Sequence, residues 1–252
     1  LRLTTADNRV IESVLIPDRH RMTLCVSSQV GCAMGCGFCA TARLGLRRHL
    51  TPDEIVAQVM FARRHLEEEP LGCGHLTNIV FMGMGEPLHN LENLIAALGI
   101  LTAPWGLSIS PRRITVSTVG LVPQMRELLE RTQANLAVSL SATTEEGRRE
   151  LMPVTRKYSL QELMDACREL PVPRRRRITF EYVMLAGVND SDDDARRLVK
   201  LLHGIRSKVN LICFNAFADA GYEGSAAERR ERFQRLLLDH GVNATIRDSR
   251  GP

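Results

Sequence analysis

The sequence predicts an α/β fold, an open or partial (β/α)6 TIM-like barrel formed by one large domain. Short runs rich in β-branched residues alternate with amphipathic stretches that have recognisable helix starts. A chain of 252 residues is long enough for one such domain. No internal repeat and no linker rich in Gly or Ser divides it. An open doubly wound sheet gives the same alternation and stays the alternative.

Six segments are the predicted strands of the barrel: Met22–Ser27, Thr77–Met82, Arg113–Ser117, Asn135–Leu140, Ile178–Leu185 and Lys208–Phe214. The segment Asn8–Pro17 is predicted to form an extra strand ahead of them. We therefore expect a short amino-terminal β extension over residues 1–21, the remnant of a longer protein, and a core domain over residues 22–252.

Three capping patterns predict where helices begin. Thr51-Pro52-Asp53-Glu54 combines a capping box with proline at the first helical position. Ser159 with Glu162 and Ser225 with Glu228 repeat the pattern before further apolar periods. Because these helices separate the predicted strands, the sheet is expected to be parallel. Functional side chains are then expected on the loops after the strands.

Composition narrows the function only slightly. The apolar share of 44% and the charged share of 25% are those of an ordinary soluble protein. A formal charge of +4 is compatible with a nucleic-acid partner. No apolar run is long enough to span a bilayer, so we expect no membrane contact. The seven unevenly spaced cysteines favour a reducing, cytoplasmic location and a metal or redox site over a disulfide framework.

The loop after the first predicted barrel strand carries most of the chemistry. Cys32, Cys36 and Cys39 follow a C-x3-C-x2-C spacing in a glycine-rich segment. Three thiolates at this spacing can hold three corners of a 4Fe-4S cluster and leave one iron open to a small molecule. Zinc bound by three cysteines and a histidine is the alternative, although no second cysteine knuckle is present.

The string CVSSQVGCAMGCGFCATARLG resembles the cluster loop of the RlmN/Cfr group of radical S-adenosylmethionine (SAM) rRNA methyltransferases, and is closest to RlmN. The resemblance extends from about Arg19 to the last residues. It implies a partial barrel of the radical SAM type, with SAM on the open iron. It implies methylation of carbon 2 of an adenosine in 23S rRNA, and of tRNA as a further substrate, through a methyl-cysteine intermediate. Carbon 8 is the alternative target.

The same resemblance assigns further site residues. Cys25 is expected to be catalytic and to take a proton from the methylated adenine. Gly85 and Glu86, in the run Gly-Met-Gly-Glu-Pro, are expected to grip the SAM amino group. The remaining cofactor contacts are expected from Ser117, Ser139, Ser141 and Asn215. Two departures weaken these assignments: many relatives have histidine at Ser141, and Asn-Pro-Phe-Pro where this chain has Asn215-Ala-Phe-Ala.

The resemblance also implies a second catalytic cysteine, which carries the methyl group and follows an Arg-x-x-Arg-Gly run. Arg247-Asp-Ser-Arg250-Gly251 matches that run, and the chain stops at Pro252. We therefore expect that this chain alone does not complete methyl transfer. Cys167 is no substitute, because it lies on the apolar face of a predicted helix. Cys73 and Cys213 are also expected to be structural or incidental.

The expected RNA contacts are the arginines next to the cluster loop, Arg43, Arg47 and Arg48, with Arg174–Arg177 as a second basic run. A solvated loop is the alternative for both. By resemblance, a flavodoxin-type protein supplies electrons, and the chain is expected to be a monomer. Two competing functions stay open: a radical SAM enzyme with a different substrate, and a metal-stabilised RNA-binding module without activity.

Overall fold

The computed structural model describes residues 1–18, 20–217 and 220–247. The chain divides into two compact units. Unit 1 comprises residues 1–33, 41–118 and 123–135, and unit 2 comprises residues 34–40, 119–122 and those from 136 onward. No helix in the described part of the chain is long and apolar enough to cross a membrane. Arg250 and Gly251 of the predicted Arg-x-x-Arg-Gly run lie outside the described residues.

The amino-terminal half of the chain supplies the elements of unit 1. In order, they are β1 (Arg2–Thr4), β2 (Val10–Glu12), β3 (Val14–Asp18), β4 (Arg21–Cys25), β5 (Gln29–Val30), α1 (Ala40–Arg43), β6 (Arg48–His49), α2 (Pro52–Glu68), β7 (Asn78–Phe81), α3 (Leu91–Thr102), β8 (Ile114–Thr118) and α4 (Val122–Arg131).

The main sheet of unit 1 is parallel except at one edge. Strand β7 pairs in parallel with both β4 and β8, and β3 pairs with β4 in the antiparallel sense. Two small antiparallel strand pairs, β1–β2 and β5–β6, lie outside this sheet. Alternate residues of the central strands, such as Leu24, Ile79 and Ile114, are fully buried. Helix α2 begins with the predicted capping box and buries the face that carries Ile55, Val59 and Leu66.

Unit 2 contains the second half of the alternation. Its elements are β9 (Asn135–Ser139), α5 (Glu145–Leu151), α6 (Leu160–Glu169), β10 (Ile178–Met184), α7 (Asp192–Leu202), β11 (Ser207–Cys213), α8 (Ala227–Asp239) and β12 (Ala244–Arg247). Strands β9, β10, β11 and β12 pair in parallel in that order. The rings of Tyr182 on β10 and Phe233 on α8 pack with centroids 5.5 Å apart, which joins this helix to the sheet.

The structure confirms all six predicted strands to within two residues at each end. It corrects two other predictions. The predicted strand Asn8–Pro17 is broken at Ser13, whose hydroxyl turns inward and donates to Gln58 Oε1 at 2.8 Å. Ser225 does not cap α8, because its hydroxyl instead donates to Asp190 at 2.7 Å and Ala226 holds the N-cap position.

Candidate functional site

Four of the predicted site residues of unit 1 lie at one edge of its sheet. Cys25 ends β4, Gly85 and Glu86 lie in the loop after β7, and Ser117 is the penultimate residue of β8. Because β4, β7 and β8 are parallel, their carboxyl ends meet at the same edge. In barrels of parallel strands this is the edge where chemistry takes place.

A buried amide side chain holds the loop after β7 in place. Gln29 is fully buried, and its Oε1 accepts a hydrogen bond of 2.8 Å from the Glu86 backbone N–H. Gly85 has φ +103°, and a Cβ built on it would lie 2.6 Å from the Cβ of Gln29. Only glycine therefore lets the loop approach Gln29 this closely.

Glu86 is well placed to accept hydrogen bonds, although it already has a structural role. The side chain is 2% exposed, and Oε1 accepts from the Leu88 backbone N–H at 3.0 Å, which caps a short 3-10 turn over Pro87–Asn90. An ammonium ligand would share this carboxylate with the Leu88 amide. The predicted contact to a SAM amino group stays a prediction.

Burial keeps the thiol of Cys25 protonated. Its location at the end of β4 raises the pKa of Cys25 to about 11, against a weaker opposing effect of a hydrogen bond with the Met82 backbone. A thiol accepts a proton only in its thiolate form. Cys25 of the free chain therefore rests as a thiol, and its predicted catalytic role is untested.

In unit 1, the cluster loop is folded tightly around Cys32. Cys32 is 8% exposed, and its backbone N–H donates to the Gly45 carbonyl at 3.2 Å. The preceding Gly31 has φ +78°, and a Cβ at that position would lie 1.8 Å from the Gly45 oxygen. The loop can therefore pass the segment after α1 only with glycine at this position.

In unit 2, Cys36 and Cys39 belong to an apolar cluster. Cys36 is buried with Leu151 and Met152, and Cys39 packs against the same cluster. The Gly37 backbone N–H donates to the Leu151 carbonyl at 2.9 Å, which fixes the loop to the end of α5. Across the described residues, no group of three or more His, Cys, Asp or Glu side chains is arranged to hold a metal ion.

A fully buried arginine of unit 2 fits an anionic group at these cysteines. Arg148 on α5 donates to Thr155 Oγ1 at 2.8 Å and to the Val119 carbonyl at 2.6 Å. Its buried Nε has no hydrogen-bond partner among the described residues. Burial lowers the pKa of Arg148 to about 10, and interaction with the Cys36 thiol is the main opposing effect. A cation beside a thiol favours the thiolate, the form that binds iron.

The other predicted cofactor residues of unit 2 follow its parallel strands. Ser139 ends β9, and its carbonyl accepts from Arg148 at 3.3 Å. Ser141 has φ +48°, its hydroxyl accepts from the Val183 backbone N–H at 3.3 Å, and its carbonyl accepts from Asn189 Nδ2 at 2.8 Å. Asn215 is exposed just after β11. Ser141 therefore already contributes to the fold, and the predicted cofactor contacts of all three residues stay predictions.

The predicted RNA-binding arginines differ in their surroundings. Arg43 and Arg47 are exposed. The guanidinium of Arg48 is held by Asp7 and Glu54 at 2.7 Å each, and these two carboxylates raise its pKa. Arg48 therefore helps to fix the β5–β6 strand pair, and a contact with RNA would compete with both carboxylates. The run Arg174–Arg177 precedes β10, at the amino edge of the unit 2 sheet.

Unit 2 contains a buried carboxyl group that was not predicted from the sequence. Glu181 of β10 is 5% exposed and accepts from Asn210 Nδ2 at 2.9 Å, and Asn210 Oδ1 accepts from Thr245 at 2.9 Å. Burial raises the pKa of Glu181 to about 7, although the Asn210 hydrogen bond and the charges of Arg247 and Lys208 oppose it. A single acidic residue inside the apolar strand Ile178–Met184 was the available signal.

This architecture and sequence match a known protein family. The model of the radical SAM superfamily matches residues 26–199. The dual-specificity RNA methyltransferase RlmN of Syntrophotalea carbinolica is 57% identical over 97% of this chain and 64% of its own length. The RlmN of Geotalea uraniireducens is 54% identical over 98% of this chain and 69% of its own length. The chain thus spans about two thirds of the length of these relatives.

A solved structure gives the same result for the fold. The crystal structure of a radical SAM methyltransferase from Sphaerobacter thermophilus matches with a TM-score of 0.94 and 47% identity, over 99% of this chain and 73% of that one. The predicted fold class, an α/β partial barrel of the radical SAM type, is confirmed.

Proposed function

The chain belongs to the radical SAM superfamily and to its RlmN group, and from that premise we propose that it is the core of an RNA methyltransferase. The proposed reaction methylates carbon 2 of an adenosine in 23S rRNA through a methyl-cysteine intermediate. A tRNA adenosine is the second proposed substrate, because the relatives are named dual-specificity enzymes. One observation carries the proposal: the C-x3-C-x2-C loop occurs in a chain 57% identical to such a relative.

The residues of the chain have the chemistry that the cofactors of this family require. Cys32, Cys36 and Cys39 would hold a 4Fe-4S cluster, and none of these three residues is in a disulfide. When bound, cluster and SAM together supply a 5′-deoxyadenosyl radical. Glu86 would accept hydrogen bonds from the SAM ammonium group, and its burial would strengthen that contact. We also infer a cytoplasmic location and a flavodoxin-type electron donor from the family likeness.

Two further residues would support the chemistry without binding iron. Arg148 would place a buried positive charge beside the thiolate of Cys36, which stabilises an anionic cluster. Cys25 would act as the base that takes a proton from the methylated adenine. Because burial raises the pKa of Cys25 to about 11, it would become a base only after substrate binding changes its surroundings.

The test uses protein that extends beyond Pro252 to include the methyl-carrying cysteine, reconstituted anaerobically with iron and sulfide. The assay contains reductant, SAM carrying a deuterated methyl group, and protein-free 23S rRNA. Mass spectrometry reads 5′-deoxyadenosine and labelled methyladenosine, and comparison with standards separates carbon 2 from carbon 8. Labelled 2-methyladenosine together with deoxyadenosine is the expected result. If protein with a full cluster forms neither product, the proposal is refuted.

Matched cysteine variants separate loss of the cluster from loss of the fold. Cys36→Ala should lose iron, deoxyadenosine formation and absorbance near 400 nm. Cys167→Ala is the control, because Cys167 is buried on α6 and burial raises its pKa to about 12. This variant should keep its iron. Zinc in place of iron in the wild-type protein would instead favour the metal-stabilised binding module.

A second candidate function is a radical SAM enzyme with a different substrate. The observation that favours it is the pair of departures at Ser141 and after Asn215. The hydroxyl of Ser141 is hydrogen-bonded to the Val183 backbone N–H, so this position serves the local fold in this chain. Deoxyadenosine without methyladenosine, from a protein extended beyond Pro252 to include the methyl-carrying cysteine, would favour this candidate.

A further inference from the structure

Two histidines meet one buried amide at the carboxyl edge of the unit 1 sheet. Gln29 Nε2 lies 2.9 Å from His49 Nδ1 and 3.4 Å from His89 Nδ1. Gln29 and His49 are opposite each other in the antiparallel pair β5–β6, and His89 lies in the turn that Glu86 caps. The two imidazole rings are nearly perpendicular, at 87°, with centroids 5.1 Å apart.

The hydrogen bonds of Gln29 fix the protonation of both rings. The Glu86 backbone N–H can only donate, so the atom that it meets at 2.8 Å must be the Gln29 carbonyl oxygen. The Gln29 NH2 group therefore faces the histidines and donates one hydrogen to each. Both Nδ1 atoms must accept, which requires the neutral imidazole with its hydrogen on Nε2.

The surroundings of His49 favour the same neutral form. Burial, and then the proximity of His89, lower the pKa of His49 below its ordinary value. An imidazolium at His49 would also direct an N–H at the Gln29 NH2 group, donor against donor. The amide therefore holds His49 neutral through direct contact as well as through its surroundings.

Each neutral ring presents a donor on the side away from Gln29. Nε2 lies across the ring from Nδ1, and neither Nε2 has a hydrogen-bond partner among residues 1–18, 20–217 and 220–247. His89 is exposed and His49 is half-buried. A protonated Nε2 has no lone pair for a metal, so the complementary ligand is a hydrogen-bond acceptor. Arg47 is exposed and lies two residues before His49, so its positive charge favours an acceptor that is negatively charged.

We propose that His49 and His89 form a binding site for phosphate oxygens of the RNA substrate. The inference rests on the proposed function and adds a substrate contact to it. A phosphate offers several acceptor oxygens and no donor, whereas base edges combine both. Each ring supplies one outward donor to such an acceptor. Because both rings are neutral, the pair contributes hydrogen bonds without adding charge.

The test separates the two ends of each imidazole. His49→Asn and His89→Asn retain an acceptor for Gln29 and lose the outward donor, whereas His89→Gln retains an outward donor. His203→Asn is the matched control, because His203 is exposed at the end of α7 in unit 2. Binding of the cluster-loaded chain to protein-free 23S rRNA is measured over a range of salt concentrations, together with SAM binding.

Each Asn variant should weaken RNA binding about 2- to 10-fold, the value of one neutral hydrogen bond. His89→Gln should bind RNA more tightly than His89→Asn. The slope of affinity against salt should stay unchanged, since no cation is lost, while Arg47→Ala should reduce that slope by about one. Nitrogen-15 correlation spectra should show hydrogen on Nε2 and none on Nδ1 for both rings.

Several results would overturn the inference. Unchanged RNA affinity in both Asn variants would do so, and so would hydrogen on Nδ1 at neutral pH. Weakened SAM binding with intact RNA binding would assign the two donors to the cofactor carboxylate instead. If the wild-type chain binds no RNA, the proposed function fails along with this inference. If wild type binds RNA and the Asn variants bind equally well, this inference alone fails.

Discussion

The substitution Glu181→Gln tests the buried carboxyl group of unit 2. Glutamine has the shape of protonated glutamate and can still accept from Asn210 Nδ2, but it does not ionise. The folded protein raises the pKa of Glu181 from 4.5 to about 7, mainly by burial. Each tenfold change in the protonation equilibrium is worth about 1.4 kcal/mol. Ionised Glu181 therefore costs the folded state about 3 kcal/mol.

The two pKa values of Glu181, in the unfolded and the folded protein, determine whether stability rises or falls with pH. Below pH 4.5 the carboxyl group is protonated in both states, and its contribution to stability is fully present. As the pH rises towards 7, the unfolded chain releases the proton first, so the native state loses stability. Between pH 5 and pH 8, wild type should lose about 2.5 kcal/mol relative to Glu181→Gln.

Urea denaturation at intervals from pH 5 to pH 8, under reducing conditions, measures this difference. Glu150→Gln on the exposed face of α5 is the control, and its free energy of unfolding should run parallel to that of wild type. If Glu181→Gln also runs parallel to wild type, the carboxyl group is ionised at its ordinary pKa, and the reasoning from burial is wrong.

Three further outcomes are expected. Gly85→Ala should lower the free energy of unfolding, measured by urea denaturation, by more than about 2 kcal/mol, because its Cβ would lie 2.6 Å from Gln29. Gly74→Ala is the control and should lower it by about 1 kcal/mol, because Gly74 has φ +73° with open space around its Cβ position. Equal losses would contradict the steric argument. Iodoacetamide at pH 8 should modify Cys25 far more slowly than the loop residue Cys73. The pKa of Cys25, about 11, leaves about one Cys25 thiol in a thousand as the reactive thiolate at that pH. Mass mapping that finds Cys25 modified first would contradict this prediction. Arg148→Lys should lower the free energy of unfolding by about 2–4 kcal/mol, because a lysine side chain cannot reach Thr155 and the Val119 carbonyl together. A loss under about 1 kcal/mol would show that the two hydrogen bonds of the Arg148 guanidinium are dispensable.

The elements that the sequence predicts well are those with a repeating pattern. The strand Ile178–Leu185 is predicted from its β-branched and aromatic run, and the structure has Ile178–Met184. The capping boxes at Thr51 and Ser159 are local, so their residues carry the whole signal. Ser225 matches the same pattern, but a partner 35 residues away takes its hydroxyl group. Local patterns are reliable only where no distant group competes.

The parts of the site that the sequence does not predict depend on burial by distant segments. Arg148 lies in the charged run Glu-Glu-Gly-Arg-Arg-Glu, where an exposed helix face is the natural expectation. Its position three residues before the buried Leu151 was the available hint. The β5–β6 strand pair has two residues in each strand, too few for any periodicity. The pairing of Gln29 with two histidines therefore became visible only in three dimensions.

The close approach of Gly31 to the Gly45 carbonyl limits how this protein can evolve. Every side chain at position 31 would overlap an oxygen 1.8 Å away, so a population of variants should retain glycine there whatever the RNA substrate. Gly45, which has φ +62° and open space around its own Cβ position, should tolerate asparagine in the same population. A library designed to alter substrate choice can therefore vary the exposed arginines around this loop freely. It should leave position 31 fixed, because diversity placed there would be lost at the folding step, before any selection for activity.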